Sequence, residues 1–265
     1  MSGKMRIIVC VKHVPNTNNV KVDPVKGTII REGVESILNP DDANALEEAL
    51  RLKDENPGTT VAVITMGITQ ADIMLRECLA MGADEAILLT DRACAGSDTW
   101  ATANALAAAV KHYGDVDIVF CGRQAIDGDT AQVGPQLAER LGLPQVTYVQ
   151  KLDIKGDTAI VERRLEDGYQ EIEVKLPVLL TAVKELNTPR YMSVAGIMNA
   201  CGKDITVWSA RDVQVDPNMT GLNASPDKVF RSFAPDPKGA GIILTGAPRE
   251  MAARLMAGLE ARHIV

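Results

Sequence analysis

Apolar and polar positions alternate along this chain with two different periods, and the switching between them outlines the fold. Arg6–Val11 is a continuous apolar run bounded by polar residues, the signature of a strand buried on both faces. Residues 19–23 and 28–32, around a turn at Pro24–Gly27, have the form of a hairpin. From Asn39 the period lengthens. Asn39 fits a helix N-cap and Pro40 the first helical position. Asp41 and Asp42 suit the positive helix end, Leu46, Ala49, Leu50 and Lys53 follow at helical spacing, and Asn56–Pro57–Gly58 stops the helix. Strand and helix patterns then alternate: strands over 59–67, 85–90 and 117–122, helices over 70–83, 98–114 and 131–142. This alternation predicts an α/β fold, a doubly wound, mainly parallel, Rossmann-like sheet with helices on both faces.

Past Leu143–Pro144 the rhythm changes. Residues 146–154, 158–166, 170–176 and 178–183 are strand-like runs separated by short turns, read as added antiparallel strands. The stretch from Asp212 to Gly241 carries four prolines and little periodicity, too long for a loop inside a compact domain. An amphipathic segment over 248–265 follows it and needs a surface to pack on. The expected organisation is a nucleotide-binding α/β domain over 1–210 and a C-terminal arm over 211–265 that packs on a partner.

Composition narrows the function. A net charge of −7 disfavours nucleic acid as a partner, since that binding depends on clustered Lys and Arg. No apolar run reaches the roughly 20 residues of a membrane helix, and no cleavable signal region precedes the first strand. A cytoplasmic protein is expected. Five scattered cysteines without a CxxC pair suggest free, mostly buried thiols, and three distant histidines show no ligand spacing, so no metal site is expected. GxSxG, a P-loop, GxGxxG and a nucleophile–base constellation are all missing, which leaves no catalytic residue to name.

The candidate chemistry sits in Cys121–Pro135, between a buried strand and a helix, at the sheet edge where open α/β folds bind ligands. Gly122, Gly128 and Gly134 permit close backbone approach, and Thr130, Ala131, Gln132 and Val133 lie at a positive helix end that would seat an anion. Arg123 adds a cation and Gln124 a neutral donor. Asp127 and Asp129 would repel a diphosphate if aimed at it. One is therefore expected to cap the helix and the other to accept from a hydroxyl or backbone N–H. Other strand ends at the same edge are Cys10, Val11 and Lys12, and Thr65, Met66 and Gly67. With the helix start at Asn39, Asp41 and Asp42 they outline an adenosine pocket. Aromatic residues are only 3%, so a flavin ring held here would need help from other groups or from another chain.

These segments resemble the β (small) subunit of electron-transfer flavoproteins over essentially the whole chain. The matching segments are residues 121–134, then Val161–Val183 and Asn187–Met198. Val161–Val183 carries Val161, Arg163, the Glu166–Asp167–Gly168 turn, Gln170, Ile172, Pro177, Leu179–Leu180 and Thr181. The resemblance implies a heterodimer with an electron-transfer flavoprotein α subunit that carries the shuttling FAD. It implies nucleotide contacts at Cys10, Asn39 to Asp42, Met66 and Gly122 to Gly134. It also implies a loop at Tyr191, Met192, Ser193, Val194, Ala195, Gly196 and Ile197 that docks on an acyl-CoA dehydrogenase. Residues 127–135 are similar to the bifurcating branch. There the β subunit binds FAD that takes hydride from NADH and sends electrons to ferredoxin or flavodoxin and, through the α-subunit FAD, to the dehydrogenase. In the transporting branch AMP occupies the same place as a structural ligand. A stand-alone adenine-nucleotide-binding stress-type protein is the alternative from another class.

Overall fold

Strand β1 (Arg6–Cys10) divides its side chains between two cores. Ile7 and Val9 join one apolar cluster with helices α1 (Pro40–Glu55) and α2 (Ala71–Met81). Ile8 and Cys10 join the other with α3 (Thr99–Tyr113) and α4 (Val133–Leu141). That division is the period-2 alternation of a strand covered on both faces. The computed structural model describes residues 4–16, 35–230 and 239–265. Among these, one compact unit takes in 4–16 and 35–230, and a second takes in 239–265. The α/β unit thus runs beyond residue 210 to Phe230. The hairpin read at 19–32 lies outside the described residues.

The remaining strands of the first unit are β2 (His13–Pro15), β3 (Ser36–Leu38), β4 (Thr60–Met66), β5 (Glu85–Leu89), β6 (Ile118–Gly122), β7 (Gln145–Lys155), β8 (Thr158–Arg164), β9 (Tyr169–Lys175), β10 (Val178–Ala182) and β11 (Thr206–Trp208). The main sheet has the order β11-β5-β4-β1-β6-β10-β7-β8-β9. From β11 to β7 every pairing is parallel. An α/β fold with a mainly parallel sheet is therefore what the chain adopts. The chain leaves β1 for β4 on one side and returns to β6 on the other. The topological switch point, where such sheets bind ligands, therefore lies between the carboxyl ends of β1 and β6.

Two sequence readings of the second half are corrected. The run at 178–182 was expected among antiparallel strands, but β10 is parallel, fully buried and wedged between β6 and β7. Its unbroken apolar sequence VLLTA suits a central strand better than a one-sided hairpin. Only β7–β8 and β8–β9 pair antiparallel in this sheet, while β2 and β3 form a separate antiparallel pair. The segment from Asp212 was read as the start of an arm laid across a partner. Instead Val213 and Val215 join the core, Pro217–Met219 forms a 3₁₀ turn, and α6 (Gly221–Ala224) closes against the loop after β5. There Gly221 N–H donates to Ser97 Oγ at 2.9 Å and Asp98 N–H to Ser225 Oγ at 2.9 Å.

In the second unit the described structure is α7 (Pro248–Glu260), with no buried residue and with Met251, Leu255 and Leu259 repeating at helical spacing. No helix of the described residues is long and apolar enough to cross a membrane. Nor, among them, do three or more His, Cys, Asp or Glu gather as they would around a metal ion. Cys10, Cys78, Cys94 and Cys121 are buried free thiols, and Cys201 is an exposed one.

Candidate functional site

The crevice at the switch point is assembled by three short connections. β1 ends in Cys10–Val11–Lys12, β6 ends in Gly122–Arg123, and α1 begins at Asn39–Pro40. Gly122 is required by packing. A Cβ there would lie 2.3 Å from Asp42 Oδ1 and 2.7 Å from both Asp41 C and Asp42 N, so any side chain would displace the first turn of α1. The close approach lets Asp42 clamp both strand ends. Its carboxylate accepts from Lys12 N–H at 2.8 Å and Gly122 N–H at 3.0 Å. Burial outweighs these two bonds and pushes the Asp42 carboxyl up to about 7.

Asn39 occupies the N-cap position but does not cap with its side chain. Instead its Nδ2 donates to Gln124 O at 2.8 Å and its Oδ1 accepts from Ile126 N–H at 3.1 Å. The residue is fully buried, so the glycine loop is pinned to α1 by a paired amide rather than left to solvent.

The two loop aspartates are both diverted, and neither caps α4. Lys12 Nζ meets Asp127 Oδ1 at 2.7 Å, and Gln124 Nε2 donates to Asp129 Oδ1. The expectation of an aspartate cap is therefore corrected. α4 begins at Val133, its N-cap residue is Gln132, and no side chain caps it. Among the described residues the N–H groups of Thr130, Ala131 and Gln132 find no acceptor. Asp129 and Ala131 hold φ of 55° and 53°, a left-handed conformation uncommon outside glycine and concentrated at ligand-binding loops. Gly134 is fixed by helix–sheet packing, because a Cβ there would come within 2.6 Å of Thr181 Cγ2 on β10.

Beside this seat lies a cavity of about 580 Å³ that sequence reasoning did not find. Arg123 and Asp41 line it and pair at 3.3 Å, while burial raises the Asp41 carboxyl above its ordinary value against the pull of that arginine. Tyr148, Arg163, Arg164 and Lys184 share its wall with the acidic Glu166 and Glu185, and Arg164 is ion-paired with Glu185. Tyr148 reaches it because the β7 pairing is irregular there. It holds φ of 58°, donates its N–H to Thr181 Oγ1 at 3.1 Å, and brings its ring to 5.9 Å from the Arg123 guanidinium carbon. Arg163 Nε is buried without an acceptor. The signal available in the sequence was the paired arginines Arg163–Arg164 ahead of an acidic turn, but nothing in the spacing ties them to Arg123.

The other predicted residues are placed as follows. Cys10, Thr65 and Cys121 are buried, and Met66 and Gly67 are half-buried at the end of β4, one strand from β1. Val11 is buried too, its N–H bonded to Ile64 O at 2.9 Å, and Gly128 is exposed with open space where a side chain would go. Tyr191 to Ile197 do not form a loop throughout, because α5 (Val194–Cys201) starts within them. Ser193 caps it by accepting from Gly196 N–H at 2.9 Å. Gly196 sits so close to Ala80 O that a Cβ would lie 2.2 Å away. Tyr191, Val194, Ile197 and Met198 are exposed apolar side chains on one segment. Arg190 anchors that segment to α1 through Glu47 and Asp54, and Asn187 anchors it through Asn44 and Glu48. One helix thus carries the crevice at its start and the exposed patch along its length.

The model of the electron transfer flavoprotein domain matches residues 26–213. The chain is 62% identical over 262 residues to the caffeyl-CoA reductase-Etf complex subunit CarD of Acetobacterium woodii, covering 98% of this chain and 100% of that one. It is 59% identical over 262 residues to the electron transfer flavoprotein subunit beta of Thermoanaerobacterium thermosaccharolyticum, with 98% and 100% covered. To the acryloyl-CoA reductase electron transfer subunit gamma of Anaerotignum propionicum it is 46% identical over 269 residues, again with 98% and 100% covered.

Proposed function

The chain belongs to the electron transfer flavoprotein family, and from that premise we propose that it is a β subunit that binds FAD in the crevice between β1 and β6. In this reading it takes hydride from NADH in the cytoplasm. One electron goes to ferredoxin or flavodoxin, and the other passes through the FAD of an α subunit to an acyl-CoA dehydrogenase. The observation that carries the proposal is the uncapped start of α4, with unpaired N–H groups at Thr130, Ala131 and Gln132, next to the cavity at Arg123.

The residues present fit such a group. Free N–H groups at a helix N-terminus favour a diphosphate, and the ion pair of Asp127 with Lys12 offsets one of the two loop charges that would oppose it, while Gln124 holds the Asp129 carboxylate by a hydrogen bond. Asn39 and Asp42 hold the seat rigid through backbone contacts, so little ordering is left for ligand binding to impose. Bound FAD would supply two-electron acceptance with one-electron release, chemistry no side chain here offers. Arg123, on the cavity wall, would stabilise negative charge on a reduced ring. AMP held as a structural ligand would use the same seat and leave the cavity without a role, so the cavity favours the longer nucleotide. Tyr191–Ile197 would dock the dehydrogenase, and the C-terminal arm would pack on the α subunit.

Arg123→Ala tests the assignment of the cavity. The complex should keep its FAD, lose most NADH-driven reduction of both acceptors, and regain part of it in Arg123→Lys. Unchanged NADH-driven turnover in Arg123→Ala would overturn this placement of the ring.

A further inference from the structure

β1 and β6 are adjacent parallel strands, and their register pairs Ile7 with Ile118 and Val9 with Phe120. One residue further on, it sets Cys10 beside Cys121 at the two strand ends that frame the crevice. Opposite residues of such a pair leave the sheet on the same face, and both cysteines accordingly join the core cluster under α3 and α4. Both are free thiols, 7% and 6% exposed. The start of α4 covers them, since a Cβ on Gly134 would lie 3.7 Å from Cys121 Cβ. The Cys10 thiol beside it, together with burial, pushes the Cys121 thiol well above its ordinary value. Neither sulfur has a part in the function proposed above.

A disulfide brings its Cβ atoms to about 3.5–4.5 Å, whereas neighbouring strands lie about 4.7–4.9 Å apart. Oxidation of the pair therefore draws the ends of β1 and β6 together, by up to roughly 1 Å. The crevice is too tightly fitted to absorb that shift. Asp42 bridges Lys12 N–H at 2.8 Å and Gly122 N–H at 3.0 Å, and Asn39 pins the loop that follows through Gln124 and Ile126. Movement of either strand end passes through these bonds to the glycine-rich loop. We propose that Cys10 and Cys121 are a redox modification site, closed to a disulfide by a peroxide, and that the disulfide unseats the nucleotide. The second part rests on the nucleotide lying in the crevice, as proposed above. One cysteine gives up its proton and attacks a peroxide oxygen, which breaks the O–O bond and leaves a sulfenic acid and water. The other sulfur displaces the sulfenic oxygen as a second water. Two thiols and one hydrogen peroxide thus become one disulfide and two waters, with two electrons passing from sulfur to oxygen. The raised Cys121 thiol makes the step slow at neutral pH and faster as pH rises.

The test treats the intact complex of this chain with its α partner, reduced and nucleotide-loaded, with millimolar hydrogen peroxide at pH 8. Remaining thiols are alkylated in denaturant, peptides are mapped without reductant by mass spectrometry, and the nucleotide kept after desalting is quantified. A peptide linking Cys10 to Cys121 should appear, with one equivalent of nucleotide lost per link formed. Dithiothreitol should remove the link and restore binding of added nucleotide. Cys121→Ser, compared with its own untreated sample, should lose no nucleotide on treatment. If that variant does not fold, the reversal by dithiothreitol in wild type carries the same comparison. No linked peptide after oxidation, a link through Cys78 or Cys94 instead, or nucleotide fully retained on the linked chain overturns the proposal. The nucleotide counted before treatment separates the two claims. None at the start contradicts the crevice reading and this proposal with it, whereas nucleotide kept by the linked chain contradicts this proposal alone.

Discussion

Replacing Gly122 by alanine isolates the contact on which the crevice depends. The added Cβ would meet backbone atoms of Asp41 and Asp42 at 2.7 Å and Asp42 Oδ1 at 2.3 Å, too close for a flexible side chain to give way. The first turn of α1 has to shift, which lengthens the bond from Gly122 N–H to the Asp42 carboxylate. Overpacking of this kind costs about 1–3 kcal/mol. Weakening that hydrogen bond costs about 0.5–1.5 kcal/mol more. A loss of about 3 kcal/mol is expected, or roughly 6–12 °C in melting temperature for a domain of this size. Urea unfolding of wild type and Gly122→Ala measures it. Gly128→Ala in the same loop is the control, because a Cβ there meets nothing within 4 Å. That variant should unfold at or slightly above the wild-type midpoint, by less than about 1 kcal/mol. An unaltered midpoint for Gly122→Ala, or equal losses in both variants, would refute the claim that Gly122 is fixed by the approach of α1.

The Asp42 carboxyl, pushed up to about 7 from an ordinary value of 3.8, makes the fold favour the protonated acid. Stability from this group is fully present below pH 4 and is lost as pH rises through about 7. Urea midpoints at pH 5 and pH 8 should therefore fall with pH by up to about 3 kcal/mol more in wild type than in Asp42→Asn, and parallel pH slopes would contradict the buried-carboxyl account. Cys201 is the exposed thiol, so a bulky maleimide should label it rapidly in the native protein and the four buried cysteines only after denaturation, with mass spectrometry reading the sites. Arg190→Ala removes the bidentate contact to Glu47 and should cost about 1–2 kcal/mol while exposing residues 187–193 to proteolysis; an unchanged cleavage pattern would contradict its anchoring role. Tyr191→Glu, at a fully exposed position, should slow electron transfer to the dehydrogenase without altering nucleotide content, and equal rates would remove the patch from docking.

The parallel half of the fold was legible because each element there is decided by local pattern. Apolar runs such as Arg6–Val11 and residues 117–122 become strands, and the helical spacing from Leu46 becomes α1. The second half depends on contacts distant in sequence. β10 follows a hairpin in the chain yet inserts between β6 and β7, and its apolar run looks the same in either setting. Short elements escaped for a related reason. β11 has three residues and is decided by pairing with β5, and α5 begins inside a run whose cap, Ser193, is a common surface residue.

The crevice was legible in its membership rather than in its roles. Asn39, Asp41, Asp42 and residues 121–134 do converge at one sheet edge. Yet Asn39 pins a loop instead of capping a helix, and both loop aspartates are turned aside by Lys12 and Gln124. Those pairings join residues 5–115 positions apart, beyond the reach of spacing rules. The cavity at Arg123 was missed because it joins five segments far apart in sequence, from Asp41 to Glu185.

Nucleotide content tests the central claim most directly. The chain would be purified with its α partner, the bound nucleotides released with acid, and FAD and AMP quantified by chromatography against the two polypeptides. The account predicts FAD in excess of the α subunit's own complement, with AMP only in traces. AMP in amounts equal to this chain, with FAD matching the α subunit alone, would contradict it and leave the crevice a structural nucleotide seat.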